Sequence, residues 1–269
     1  MQKTLKSNVV FIGTGLHTGT DVKLCVRPAS AETGIWFRRT DVAAGKDFIC
    51  ANWQFSVRTE LCTRLENEDG VSVSTVEHVM AALAGCGINN AIIELNGPEL
   101  PIMDGSALEF VSGFLRVGFV NQTAPVRALE ILEKVEVDEN GAYAALEPYS
   151  GIKMDFMIDF PDVAIGQQSK SLDLANGSFV NELSNSRTFC ANSDVNTMRS
   201  KGLALGGTLM NALVVDGENV LSPGGMRYPD EPVRHKMLDA VGDLALAGGP
   251  IIGHYIGRRS GHTATNKLL

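Results

Sequence analysis

The sequence lacks the features that mark membrane, nucleic-acid-binding and disulfide-linked proteins. No apolar run in its 269 residues approaches the roughly 18 residues that a bilayer-spanning helix needs. The net charge is −8, whereas a nucleic-acid-binding surface would show a basic patch or stripe. The five cysteines are scattered and include no Cys-x-x-Cys pair. We therefore expect no integral membrane segment, no nucleic-acid partner and no disulfide framework.

The amino terminus and the thiols indicate the compartment. Residues 1–6 lack the apolar core of a secretory signal peptide. An odd number of scattered cysteines is typical of reduced thiols. We therefore expect a cytoplasmic protein that acts as a monomer.

Length and the order of the elements predict two domains of the α+β class. The chain exceeds the usual single-domain size, and its 44% hydrophobic and 20% charged residues are typical of a globular protein. Strand-like segments broken by Gly and Pro turns precede a strand flanked by helices, and this order returns in the second half. The short polar segment 121–125 ends in proline and is the predicted linker. We expect two similarly built α+β sandwiches, at 1–124 and 125–269.

The segment 234–243 is predicted to be a helix with a chemically distinctive face. Its apolar residues recur at helical spacing, whereas His235, Asp239 and Asp243 lie at i, i+4 and i+8 and share one face. An imidazole and a carboxylate one turn apart suit two ligands of a divalent cation such as zinc. The alternative is an ordinary i, i+4 pair on a solvated face.

A second cluster, far upstream, opens another predicted helix at 74–85. Ser74 is a suitable N-cap, and Glu77 three residues later would complete a capping box. His78 follows directly, in the first turn. A capping role alone would explain Glu77, but it would not explain the adjacent histidine.

Taken together, these segments supply the parts of a metal-assisted hydrolase. His78, His235 and Asp239 give three protein ligands and leave an open position, which is typical of a catalytic zinc site. Glu77 is the predicted general base that deprotonates the attacking water. His262, after a glycine turn near the carboxyl end, is predicted to hold developing charge or protonate the leaving amine.

Seven blocks follow one another along nearly the whole chain, at 13–19, 38–41, 74–78, 101–106, 186–189, 233–243 and 260–262. In these blocks the chain resembles the UDP-3-O-acyl-N-acetylglucosamine deacetylases, the zinc amidases of lipid A biosynthesis. The resemblance implies one catalytic zinc ion between two similar domains and hydrolysis of the N-acetyl group of an acylated UDP-sugar, with release of acetate. The chain departs from the family pattern at Cys190, Ala191, Pro232, Thr263 and Thr265.

Further residues are predicted to assist the reaction. The hydroxyl of Thr188 would donate to a developing oxyanion, or else cap a turn. Asp243 would orient His262 or His235 as an outer carboxylate, which fixes the tautomer and raises the basicity of an imidazole. His17, in the Gly-rich block 13–19, is assigned a structural role.

Substrate contacts are predicted around the metal ligands. Lys236 lies about 100° from the ligand face and would reach a substrate phosphate or hydroxyl. Because the family substrate is acylated, we expect an apolar channel within the protein, with the segment 189–205 as its wall. In that segment Phe189 would stack on the sugar or line the acyl entrance, and Val195 would contact the acyl chain, although both suit simple packing.

The sequence leaves two other functions open. One is a zinc amidase with a changed substrate, which the departures at Cys190 and Pro232 favour. The other is a catalytically silent, sugar-nucleotide-binding relative. The presence of all the predicted ligands together with Glu77 and His262 argues against the silent relative, because a decayed site should have lost at least one of them.

Overall fold

The computed structural model describes residues 1–269 and confirms the α+β class. The strands of the first half are β1 (Lys3–Leu5), β2 (Val9–Thr14), β3 (Asp21–Pro28), β4 (Ile35–Arg39), β5 (Phe48–Cys50), β6 (Ser56–Val57), β7 (Arg64–Glu66), β8 (Ser72–Ser74), β9 (Ala91–Leu95) and β10 (Phe119–Asn121). Those of the second half are β11 (Leu129–Glu130), β12 (Val135–Glu139), β13 (Ala142–Glu147), β14 (Ile152–Asp159), β15 (Gln167–Asp173), β16 (Phe189–Ala191), β17 (Leu213–Asp216), β18 (Asn219–Val220) and β19 (Ile251–Arg258). The α-helices are α1 (Glu77–Gly85), α2 (Leu108–Val117), α3 (Asn192–Ser200), α4 (Glu231–Leu244) and α5 (His262–Leu268). Short 3₁₀ turns lie at Trp53–Phe55 and Ala245–Ala247, and a π-helical turn lies at Phe179–Leu183.

The two main sheets have the same topology. One has the strand order β2-β3-β9-β4-β5 and the other β12-β13-β19-β14-β15, with β11 added beside β19. The central strand of each sheet is antiparallel to one neighbour and parallel to the other. Each central strand follows one helix and precedes another, α1 and α2 for β9, α4 and α5 for β19. This confirms two similarly built units; a domain boundary at 124/125 lies between the two sheets in sequence and remains a prediction.

Side-chain alternation explains why these segments form half-buried strands. In β3, Val22, Leu24 and Val26 are buried, while Asp21 before them and Lys23 between Val22 and Leu24 are exposed. A strand directs successive side chains to opposite faces of its sheet. The buried residues of β3 therefore share the face that the helices cover, and the exposed residues share the other face. None of the helices combines the length and apolar character that a bilayer crossing requires.

The helices α1 and α4 cross in direct backbone contact between the two units. A Cβ atom on Gly242 would lie 2.0 Å from the carbonyl oxygen of Glu77, so only glycine permits this approach. The amino-terminal turn of α1 therefore packs against α4 at Gly242. This contact places the two predicted ligand clusters beside each other.

The starts of both helices differ from the sequence prediction. Ser74 is the last residue of β8, and α1 begins at Glu77 after Val76, with no side-chain cap. The predicted capping box is therefore wrong. The helix α4 begins earlier than predicted, at Glu231, so Pro232 lies in its first turn, where a proline costs no hydrogen bond.

Candidate active site

The three predicted metal ligands come together where α1 meets α4. The imidazole Nε2 of His235 lies 3.3 Å from Oδ1 of Asp239, and Nε2 of His78 lies 3.6 Å from the same oxygen. One ligand atom from each residue lies within 4.8 Å of the others, and all three side chains are buried. The structure thus brings together a cluster that can hold one metal ion.

The chemistry of these donors fits a divalent cation. Nδ1 of His235 lies 3.0 Å from the carbonyl oxygen of Ser186, which can only accept a hydrogen bond. Nδ1 therefore carries the proton, and Nε2 faces the cluster with a free lone pair. Burial lowers the pKa of His235 to about 4, so the ring is neutral at neutral pH. Oδ1 of Asp239 is buried without a hydrogen-bond partner, as expected of an atom reserved for a ligand.

The carboxylate of Asp239 stays ionised in this buried place. Burial acts to raise the pKa of Asp239, but the positive charges of Lys236 and of His235, when protonated, outweigh it and hold the pKa well below its ordinary value. Nζ of Lys236 donates to Oδ2 of Asp239 at 3.0 Å. Although Lys236 starts about 100° from the ligand face of α4, its long side chain reaches back to Asp239, and its contact with substrate remains a prediction.

Glu77 lies beside the metal cluster and is held by a backbone donor. Its Oε2 accepts a hydrogen bond from the backbone N–H of Thr63 at 3.0 Å, and its Oε1 lies 3.9 Å from Nε2 of His262. Burial raises the pKa of Glu77, although His262 opposes the shift. The position and the raised pKa suit a group that takes up a proton.

His262 faces three carboxylates from the other side of the cluster. Its Nδ1 lies 2.9 Å from Oδ2 of Asp243, and its Nε2 lies 3.9 Å from Oδ2 of Asp239. Burial alone would lower the pKa of His262, but Asp243 and Glu77 outweigh it and raise that pKa to about 9. The other oxygen of Asp243 accepts from the hydroxyl of Thr63 at 2.5 Å. The raised pKa favours a protonated His262 held by Asp243, and the metal cluster of His78, His235 and Asp239 does not include it.

A cavity of about 790 Å³ opens from this cluster. The predicted residues Thr188, Phe189, Val195 and Lys236 lie in its wall, together with all of the metal cluster. Backbone hydrogen bonds hold Thr188 in place: its N–H donates to the carbonyl of Gly105 at 2.7 Å. The role of Thr188 as an oxyanion donor remains a prediction.

Only part of the segment 189–205 lines this cavity. Its wall includes Phe189, Val195 and Met198, whereas Leu203 and Leu205 lie outside it. The ring of Phe189 also meets that of His235 edge-on, with centroids 6.2 Å apart. The use of this wall by an acyl chain remains a prediction.

Sequence reasoning missed two residues of this site. Thr63 contacts both Glu77 and Asp243, but an isolated threonine between strands carries no signal. Ser186 contacts His235 through its carbonyl, which no side-chain pattern reveals. His17 lies in the cavity wall, buried and with Nε2 unpartnered, and its structural role remains a prediction.

Comparisons with known proteins identify the family. A family model described as UDP-3-O-acyl N-acetylglycosamine deacetylase matches residues 2–269. A relative from Pasteurella multocida (strain Pm70), named UDP-3-O-acyl-N-acetylglucosamine deacetylase, is 47% identical over 270 residues, covering 100% of this chain and 88% of its own length. A relative of the same name from Phenylobacterium zucineum (strain HLK1) is 46% identical over 268 residues, covering 100% and 92%. These similarities show that the chain belongs to the UDP-3-O-acyl N-acetylglycosamine deacetylase family.

Proposed function

We propose that this chain is a zinc-dependent amidohydrolase that removes the N-acetyl group of UDP-3-O-acyl-N-acetylglucosamine, a reaction of lipid A biosynthesis. The observation that carries the proposal is the convergence of the metal cluster, a buried carboxylate and a charged imidazole at one end of a large cavity. Family membership supplies the substrate class. The geometry supports the roles proposed for the residues.

His78, His235 and Asp239 would hold the zinc ion. When bound, zinc acts as a Lewis acid that polarises the acetyl carbonyl and acidifies water. Three protein ligands leave a coordination position open, which is the arrangement of catalytic rather than structural zinc sites. Lys236 supports this set by keeping Asp239 ionised through their 3.0 Å contact.

Glu77 is the proposed general base. The attacking water gives a proton to Glu77 while its oxygen bonds to the acetyl carbonyl carbon. The N–H of Thr63 occupies Oε2, which leaves Oε1 to face His262 across the site. Because burial raises the pKa of Glu77, the carboxylate is a stronger base than an exposed glutamate.

His262 is the proposed general acid. Its pKa of about 9 keeps it protonated at neutral pH, and its hydrogen bond to Asp243 through Nδ1 aims Nε2 into the site. Nε2 then stabilises the developing oxyanion and protonates the amine as the C–N bond breaks. Thr188, in the same cavity wall, is the proposed second donor to the oxyanion. The products are acetate and the free amine of the sugar.

The acyl chain is proposed to lie along the apolar part of the cavity wall. Phe189 and Val195 are apolar residues of this wall, and the ring of Phe189 lies against that of His235. Each buried methylene stabilises the complex by about 0.8 kcal/mol, so binding should weaken by orders of magnitude when several are removed from the substrate. Lys236 is the proposed contact to a substrate phosphate or hydroxyl.

The test is acetate release from substrates that differ only in acylation. Purified protein with measured zinc content is given UDP-N-acetylglucosamine carrying a long acyl chain, a short acyl chain or none. The proposal predicts that kcat/KM falls steeply along this series. Equal turnover of all three substrates would indicate a zinc amidase with another substrate, and stoichiometric zinc without turnover would indicate a silent relative.

A further inference from the structure

One peptide group connects two residues of helix α4 that lie a turn apart. The carbonyl oxygen of Ser186 accepts a hydrogen bond from Nδ1 of His235 at 3.0 Å. The N–H of the same peptide group, which belongs to Arg187, donates to Oε1 of Glu231 at 3.0 Å. Glu231 and His235 are i and i+4 on α4, so they project from the same face. Carboxylate, peptide and imidazole therefore form one hydrogen-bonded chain.

The carboxylate at the start of this chain is rigidly held. Glu231 is fully buried, and its oxygens also accept from Nε and Nη2 of Arg187 at 2.9 and 3.1 Å, and from the N–H of Arg227 at 2.7 Å. The guanidinium of Arg187 compensates the buried charge. Four hydrogen bonds from two segments leave Glu231 a single orientation.

The orientation of the peptide group decides which nitrogen of His235 can bind a metal. With the Ser186 carbonyl aimed at Nδ1, the proton stays on Nδ1 and Nε2 keeps its lone pair. If the peptide turned about its flanking bonds, it would lose both hydrogen bonds together, because its two polar groups point to opposite partners. A partner of this kind on the second nitrogen of a metal-binding imidazole typically contributes 10- to 100-fold in metal affinity.

We propose that Glu231 is a positioning residue for His235 and acts through the Ser186–Arg187 peptide group. Glu231 touches neither the metal cluster nor the cavity. Its function is to hold the carbonyl that fixes the His235 tautomer and ring orientation. This inference rests on the proposed metal site, but the tautomer of His235 is a property of the chain without metal.

The test compares Glu231→Gln with a matched control. Asp230→Asn removes an adjacent carboxylate of the same helix end, one that pairs with Arg234 and does not touch the peptide. In chelator-treated protein labelled with ¹⁵N-histidine, wild type and Asp230→Asn should show His235 protonated on Nδ1 alone. Glu231→Gln keeps one acceptor oxygen but directs its amide group at N–H donors, so it should show both tautomers and bind zinc about 10- to 100-fold more weakly in chelator competition.

A second variant covers the case in which Glu231→Gln fails to fold. Arg187→Met combined with Glu231→Met removes the ion pair without leaving a buried unpaired charge, a change that folded proteins tolerate. It also removes the acceptor of the Arg187 N–H. The folded double variant should therefore show the same tautomer mixture and the same loss of zinc affinity.

Two results overturn the proposal. A folded Glu231→Gln or double variant with His235 still protonated on Nδ1 alone would show that the carboxylate does not set the tautomer. If Glu231→Gln bound zinc as tightly as Asp230→Asn, Glu231 would not act on the metal ligand His235. If wild type bound no zinc at all, the proposed function would fail, while the tautomer comparison would still decide the role of Glu231.

Discussion

At the scale of single residues, two buried histidines of one site have opposite pKa shifts. Burial lowers the pKa of His235 to about 4, and the nearby carboxylate of Asp239 offsets this shift only in part. His262 is also buried, but Asp243 and Glu77 raise its pKa to about 9. The first ring is therefore suited to bind a metal and the second to carry a proton. The environments, rather than the residue type, assign the two roles.

Asp243→Asn should lower the pKa of His262, because the variant removes the carboxylate that favours the protonated ring. We expect a fall from about 9 toward or below the ordinary value of 6.5, measured by ¹⁵N NMR titration of chelator-treated protein. Because the pKa of His262 is higher in the folded than in the unfolded state, protonation of His262 stabilises the fold fully at pH values below its unfolded-state pKa. This contribution is lost as the pH rises through about 9. The variant should therefore lose this pH-dependent part of its stability.

The control for this titration is Asp155→Asn. Asp155 bonds to His254 on the second sheet, away from the metal cluster. That variant should leave the titration of His262 unchanged. An Asp243→Asn protein that still titrated at about 9 would show that another group holds the proton on His262.

Residue type and spacing predicted that His78, His235 and Asp239 come together beside Glu77 and His262, because these side chains carry distinctive chemistry at the i, i+4 spacing or beside one another. They could not predict Thr63 or Ser186. A threonine hydroxyl and a backbone carbonyl become functional only through their neighbours in space. Glu231 belongs to the same class, since its partner peptide lies 44 residues away in sequence.

At the scale of secondary structure, the contact between α1 and α4 controls the site. Gly242→Ala would place a methyl group on the carbonyl of Glu77, which the backbone can relieve only by moving the helices apart. We expect a loss of about 1–3 kcal/mol in the free energy of unfolding, together with weaker zinc binding. Denaturant unfolding and chelator competition measure the two effects.

Gly151→Ala is the matched control for this substitution. A Cβ atom there meets only the ring of Tyr149, at 3.5 Å, so stability and zinc affinity should stay near wild type. If Gly242→Ala bound zinc as tightly as the control, the close crossing of the helices would not be what places the ligands.

Strands with clear alternation were predictable, and the others were not. The segment at 22–26 alternates buried apolar and exposed polar residues, and it lies within β3. The strand β15, Gln167–Asp173, is almost entirely polar and pairs along an edge of its sheet, so no apolar pattern indicated it. The predicted cap at Ser74 was wrong because Ser74 is the last residue of β8 and does not directly precede the helix, which begins at Glu77.

At the scale of the whole molecule, the metal cluster connects two similarly built units. His78 comes from the helix that precedes β9, and His235 and Asp239 come from the helix that precedes β19. A bound ion would therefore link the helices of both units. The duplicated topology explains why ligands far apart in sequence meet at one place.

Removal of zinc should lower the melting temperature, because a ligand that binds only the folded state stabilises it. The free energy of unfolding increases by about 2.7 kcal/mol when free metal is present at 100 times its Kd. Thermal unfolding with and without chelator measures it. His235→Ala supplies the control, since a protein that has lost its metal site should melt at the same temperature under both conditions. A wild-type melting temperature unaffected by chelator would contradict a metal-linked interface.

The central claim is that Glu77 takes the proton from water beside a metal held by His78, His235 and Asp239. The most direct measurement is acetate release from acylated substrate by Glu77→Gln, with the zinc content of the same sample determined. Glutamine keeps the acceptor for the Thr63 N–H but cannot take up the proton. We expect full zinc occupancy with kcat lowered by about 10²- to 10⁴-fold. Near-normal kcat with zinc bound would contradict it.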